Sequence, residues 1–247
     1  AEEALGNYGV SKRHLEKANT LSRWGYYGVL AQRRLTKARR DTQGQCEREN
    51  EFLGESPNLG LALATRRKLN RFFPQNYVKL LSKVARRYKV DSSWLVALSR
   101  QESAFRSDVV SRAGAIGLLQ IMPETANGVL RRKADRLLET SADLFKPELN
   151  AVIGTIYFRK LLRRFKGDEA IALAAYNAGP NAASRWLSRW AGLDSELLVE
   201  RIPYEETQTY VKRVTEWQAK FKSLQDSNYA LAQNARAPSI LASAGNP

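Results

Sequence analysis

The apolar residues of this chain recur at intervals of three and four, and that spacing decides the fold class. Tyr77, Leu80, Leu81, Val84 and Tyr88 share one helical face, and Tyr210, Val211, Val214, Trp217 and Phe221 share another within a last helix expected over 207–221. Between them, Asp91 is placed to cap a helix carrying Trp94, Leu95, Leu98 and Glu102. Pro123 opens another helix, 150–165 is amphipathic, and 168–176 is short and rich in alanine. A further helix is expected over 59–73, stopped by Pro74. No segment alternates with period two, and Asn127-Gly128, a hairpin dipeptide in other settings, lies in helix-like sequence. The chain is expected to be all-α.

Residues 1–70 are harder to read. An aromatic patch (Trp24, Tyr26, Tyr27) is followed by a basic run, Arg33 to Arg40, which reads either as a solvated helix face or as a contact for a polyanion. A polar stretch over 41–58 reads as a loop. The sequence past about residue 225, rich in Ala, Asn, Ser, Gly and Pro, is expected to be flexible.

The charge balance is lopsided. Forty Lys and Arg face 25 Asp and Glu, a formal net charge of +15. Such a surface attracts nucleic acid, anionic lipid or acidic cell-wall polymer. The one cysteine, Cys46, and the one histidine, His14, cannot make a His/Cys zinc site or an intramolecular disulfide. No run approaches the roughly 20 apolar residues that span a bilayer. The chain begins Ala1-Glu2-Glu3, without a charged and then apolar leader, so any signal peptide is expected to be gone already.

Three segments hold side chains suited to chemistry. Glu102 follows Trp94 and Leu98 at four-residue steps, in line with the apolar stripe. A carboxyl desolvated there has a raised pKa and can act as a general acid; alternatively it bends out to water at the helix end. In 111–123, two glycines three apart are followed by an apolar run that holds Gln120, whose amide suits sugar hydroxyls and acetamides, or simply satisfies a core turn. At 175–180 an alanine-rich helix stops at Gly-Pro, leaving Tyr176 and Asn177 either in a cleft or at an ordinary cap.

Together these segments resemble one family. Gln101-Glu102-Ser103-Ala104-Phe105, Gly-Leu-Leu-Gln-Ile-Met-Pro at 117–123, Ala-Tyr-Asn-Ala-Gly-Pro at 175–180, and Glu206-Thr207 with Tyr210-Val211 look like the soluble lytic transglycosylase catalytic domain, in matching order and spacing. The resemblance covers about 73–222. It implies a lysozyme-like (goose-type) helical catalytic domain over 73–222, preceded by an N-terminal helical, basic appendage at 1–72 and followed by a flexible tail at 223–247. It implies catalysis by Glu102, substrate contacts from Ser111, Gln120, Met122, Tyr176, Asn177 and Tyr210, and a hydrogen bond from Tyr176 that orients Glu102. Leu119 departs from the family's usual methionine, a nearly volume-neutral change.

The implied reaction is cleavage of the bond between N-acetylmuramic acid and N-acetylglucosamine in peptidoglycan, without water, to give 1,6-anhydromuramic ends. One glutamate serves as acid and then base, with no metal or organic cofactor. The implied partners are glycan strands, with peripheral contact to an anionic envelope surface and no nucleic acid, and the implied location is the bacterial periplasm or envelope. Two rivals stay open: a hydrolytic muramidase, with Asp108 the nearest second carboxylate in sequence, and a cell-wall-binding factor for envelope or secretion assembly.

Overall fold

The computed structural model describes residues 14, 16–18, 25–43, 71–130 and 141–236, with side chains to Lys37 in the first long helix and to Asp226 in the last. Its elements are α1 (Tyr26–Gln43), α2 (Gln75–Tyr88), α3 (Ser92–Ser103), α4 (Pro123–Leu130), a 3-10 turn (Ser141–Phe145), α5 (Pro147–Arg164), α6 (Glu169–Ala178), α7 (Pro180–Arg189), α8 (Ser195–Glu200) and α9 (Glu205–Arg236). Among the described residues the only β-type pairings are isolated bridges, Val110 with Ile116 and Ile116 with Ile121. The all-α expectation holds. The helix expected over 59–73 lies outside the described residues except at its end. So does most of the expected 41–58 loop, although residues 41–43 end α1.

The helix ends follow local chemistry. Asp91 caps α3, its carboxylate accepting from the Ser93 amide at 2.8 Å. Asp168 does the same for α6, accepting from the Ile171 amide at 3.0 Å. Pro147 and Pro180 open α5 and α7, where the missing N–H is not needed. α9 begins two residues before its expected start and runs to Arg236. Residues 223–236, assigned from composition to a flexible tail, therefore continue the last helix; 237–247 lie outside the described residues.

α3 is the buried axle. Trp94, Leu95, Val96, Ala97, Leu98 and Ser99 are all buried. α9 packs along it, with α2 on another side. Two of the polar groups buried here are paired: the indole of Trp94 donates to Glu169 Oε1 at 2.8 Å, and buried Gln218 of α9 donates to Ser93 Oγ at 3.0 Å; the Ser99 hydroxyl has no partner among the described residues.

α1 is seated on the same body. Tyr26 is buried in the common core, and its backbone N–H donates to Glu216 Oε1 at 3.0 Å. Arg33 donates to Gln218 at 3.2 Å and lies 5.5 Å over the Trp94 ring. Arg34 pairs with Glu196 at 2.5 Å, and Tyr27 donates to Glu200 Oε1 at 3.0 Å. The start of the basic run is thus an intramolecular docking face for α3, α6, α8 and α9.

Candidate active site

Glu102 stands on the last turn of α3, where the helix is stopped abruptly. Ala104 and Phe105 both take positive φ, 51° and 65°. The Phe105 N–H reaches back to the Ser99 carbonyl at 3.3 Å, closing a Schellman-type end without a glycine. Two consecutive left-handed residues with side chains store strain of about 1–3 kcal/mol each. Packing holds them there: Phe105 is 4% exposed, stacked on Tyr77 at 6.1 Å and edge-on to Phe73 at 6.4 Å. The stop turns the chain away directly after Glu102 and leaves its carboxyl at the helix end.

Opposite lies the loop 116–122, clamped by buried polar atoms. Asn150, fully buried at the start of α5, accepts from the Leu119 amide at 2.8 Å and donates to the carbonyls of Ile116 and Leu144, each at 2.8 Å. All of its amide functions are used. Ser103 Oγ donates to the Leu118 carbonyl at 2.8 Å, and Tyr176 OH to the Leu119 carbonyl at 2.8 Å. Gly117 has φ +77°, and an added Cβ would lie 2.5 Å from the Leu144 carbonyl oxygen. Gly154 lets α5 approach so closely that a Cβ would lie 2.5 Å from Leu119 Cδ1.

Against Glu102 itself, Tyr210 of α9 donates a short hydrogen bond to Oε1. Burial pushes Glu102 up to about 7; the Tyr210 bond pulls against that rise and the charge of Glu206 adds to it. Tyr176 and Tyr210 are held well above the ordinary phenol range, first by burial and then by the Glu102 charge. Both are therefore neutral donors at any working pH. Beside them opens a depression of about 320 Å³ lined by Gln101, Glu205, Glu206, Thr209, Tyr210 and Arg213. The result is a carboxyl near half-ionisation at neutral pH, fixed by a phenol at the edge of a polar hollow. Such a group can give up a proton and take one back.

Residues 79–198 match the family model of the transglycosylase SLT domain. Over 164 residues the chain is 37% identical to the soluble lytic murein transglycosylase of Salmonella typhimurium, covering 66% of this chain and 25% of that protein. It is 28% identical over 168 residues to the membrane-bound lytic murein transglycosylase C of Edwardsiella ictaluri, covering 60% of this chain and 47% of that protein. This part of the chain is a transglycosylase SLT domain.

The fold agrees. The inactive mutant of the lytic transglycosylase Slt from Pseudomonas aeruginosa superposes with a TM-score of 0.67 at 27% identity, over 88% of this chain and 43% of that one. The 70 kDa soluble lytic transglycosylase from Escherichia coli gives a TM-score of 0.70 at 25% identity, over 91% and 44%. The fold is therefore lysozyme-like. The chain spans about a quarter of the length of the soluble relative named above.

The sequence-predicted residues divide. Glu102, Tyr210 and Tyr176 come together, but the expected hydrogen bond from Tyr176 to Glu102 is not formed. The phenol that reaches Glu102 belongs to Tyr210, whereas Tyr176 spends its one proton on the Leu119 carbonyl. The reason is spacing: α9 runs beside α3 along its length, and Tyr210 sits one turn from its start. Asn177 Oδ1 accepts from Thr207 Oγ1 at 2.6 Å and ties α6 to α9. Gln120 donates to the carbonyls of Val109 and Gly117 at 3.2 and 2.9 Å, so its NH2 group shapes the loop. Met122 is partly exposed just before α4. Ser111 is exposed and stands apart from the hydrogen-bonded group, its hydroxyl accepting from the Ala115 amide at 3.0 Å. Sequence reasoning passed over Asn150 and Ser103. Ser103 was legible only as a member of the Gln-Glu-Ser motif, and Asn150 carried no signal beyond a polar residue early in a helix.

Proposed function

We propose that this SLT domain is the catalytic part of a peptidoglycan lytic transglycosylase that acts in the periplasm or at the cell envelope. The observation that carries the reading is the Glu102 carboxyl, raised to about 7 and held by a neutral phenol at the edge of the hollow. Protonated Glu102 gives its proton to the glycosidic oxygen between N-acetylmuramic acid and N-acetylglucosamine. The bond to C1 breaks, and the oxocarbenium-like centre is stabilised by the muramic N-acetyl group. Carboxylate Glu102 then takes the proton of the muramic C6 hydroxyl, whose oxygen closes on C1. The 1,6-anhydro ring forms, Glu102 is protonated again and no water is consumed. An acid that must also serve as base needs a pKa near the working pH, which burial supplies here.

A hydrolytic reading needs a second carboxylate to activate water. Asp108 does not fit well, because it is exposed and outside the hydrogen-bonded group. The carboxylate whose charge Glu102 feels is Glu206. Mass spectrometry of muropeptides released from sacculi tests the two. Products lighter by one water, ending in 1,6-anhydromuramic acid, support the transglycosylase; reducing ends would turn the reading to a muramidase with Glu206 as the next residue to examine.

A further inference from the structure

We propose that the basic face formed by the C-terminal half of α5 and by α7 extends the Glu102 cleft as a carboxylate-binding rim, which favours peptide-bearing glycan strands over stem-free ones. The inference rests on the transglycosylase reading and adds the substrate feature that reading leaves open.

Residues 157–190 contain seven Lys and Arg against two acids, Asp168 and Glu169. All seven cations are exposed, and none forms an ion pair with a described residue. The two acids are engaged elsewhere. Asp168 accepts from Ser195 and the Ile171 amide, while Glu169 accepts from the Trp94 indole and faces Arg33 at 3.7 Å. By contrast, Arg33 and Arg34 of α1 and Lys212 and Lys220 of α9 are paired with carboxylates. This face therefore carries a patch of exposed, unneutralised positive charge.

The face begins at the cleft. Tyr157, Lys160 and Arg164 follow at i, i+3 and i+7 and form one stripe along α5. The Tyr157 ring packs on Tyr176 with centroids 5.3 Å apart, and Tyr176 feels the Glu102 charge. Arg164 is close enough to Tyr157 to act on its phenol. Arg164 is also held in place: one of its terminal nitrogens donates to Ser184 at 3.0 Å and reaches Asn181 at 3.5 Å, both on α7. The remaining N–H groups of the guanidinium stay free, in the fork geometry that suits a carboxylate. Arg185 lies one turn beyond Asn181 and Arg189 one turn beyond that, so the positive strip continues outward.

A polymer lying in the cleft is presented to this strip. A stem-free strand carries one carboxylate per disaccharide, the lactyl group close to the ring. A peptide-bearing strand carries several, on a branch that reaches away from the sugars. Only the branched polymer brings its charges to Lys160, Arg164 and Arg185 while its glycan bond sits at Glu102.

The test is binding by the full chain carrying Glu102→Gln, so that neither strand is consumed. Dissociation constants are measured for purified peptide-bearing strands and for the same strands stripped of stems by an amidase. In a Lys160→Gln/Arg185→Gln background, which spares the Arg164 brace, binding of peptide-bearing strands should weaken about tenfold and that of stem-free strands by less than about twofold. Arg164→Lys should repeat the selective loss more weakly, since a lysine keeps the charge but not the fork. Equal losses on both strands, or none on either, would overturn the proposal. So would a loss confined to vesicles of anionic phospholipid, which would assign the face to a lipid surface. The transglycosylase reading stands or falls separately, on the mass of the wild-type products.

Discussion

Residues 104–122 and helix α1 are fixed to one core by different interactions. The loop is held by neutral groups in the interior: Asn150 to three backbone atoms, Ser103 to the Leu118 carbonyl, Tyr176 to the Leu119 carbonyl, and a glycine where no Cβ fits. α1 buries Tyr26, Val29 and Ala31, but its polar contacts run to charged partners near the surface, among them Arg34 with Glu196 and Arg33 with Glu169. Charge near Glu102 would move its pKa, because an isolated charge acts strongly in a poorly hydrated site. Neutral dipoles fix geometry without that penalty. α1 touches no reacting group, so surface ion pairs serve there.

The largest effect is expected in the loop. Asn150→Ala strands the Leu119 N–H and the Ile116 and Leu144 carbonyls in the interior, at about 3–5 kcal/mol of stability by chemical denaturation. Glycan turnover should fall with it, even at temperatures where the variant remains folded, because the loop facing Glu102 has lost its clamp. A loss below about 1 kcal/mol would mean that water or repacking replaces the amide, and that the loop is not held as described.

Tyr210→Phe probes the same region through pH. The phenol hydrogen bond favours ionised Glu102, so its removal should raise the Glu102 pKa further above about 7. The falling alkaline limb of kcat/KM should then move upward by about one pH unit, while the maximum drops through lost positioning. An unmoved limb would show that Tyr210 does not govern the titrating group.

On α1 the effects should be small and dependent on salt. Arg34→Ala should cost about 0.5–1 kcal/mol at low ionic strength and less in 1 M salt, where screening reaches about 3 Å. Asn150→Ala should show no such dependence. If both variants respond to salt alike, the contrast between the two regions fails.

What could be read beforehand follows the same division. Helix faces were legible because apolar spacing is local, and the caps at Asp91 and Asp168 were legible or followed from single residues. The clamp around Leu119 was not, because it joins residues 31, 15 and 57 positions apart through single polar atoms that leave no periodic trace. The partner of Glu102 was assigned to Tyr176 when it is Tyr210, since two buried tyrosines at two motif ends look equivalent until the packing of α9 on α3 separates them. The docking role of α1 was hidden for a further reason: Arg33 and Arg34 meet acids 130 or more positions away.

The central claim is that Glu102 alone moves the proton, and Glu102→Gln measured over pH tests it most directly. The amide keeps the shape and accepts from Tyr210, but it cannot donate a catalytic proton. Turnover of sacculi should fall by about 10⁴-fold or more, since one group fills both the acid and the base role. Stability gives the internal control. A carboxyl with a folded pKa of about 7, above its unfolded 4.5, is most favourable to folding below pH 4.5 and loses that advantage as pH rises through 7. The variant should therefore match wild type near pH 4 and exceed it by up to about 3 kcal/mol at pH 8. A folded Glu102→Gln protein that retains substantial activity, with no stability gain at pH 8, would contradict the account.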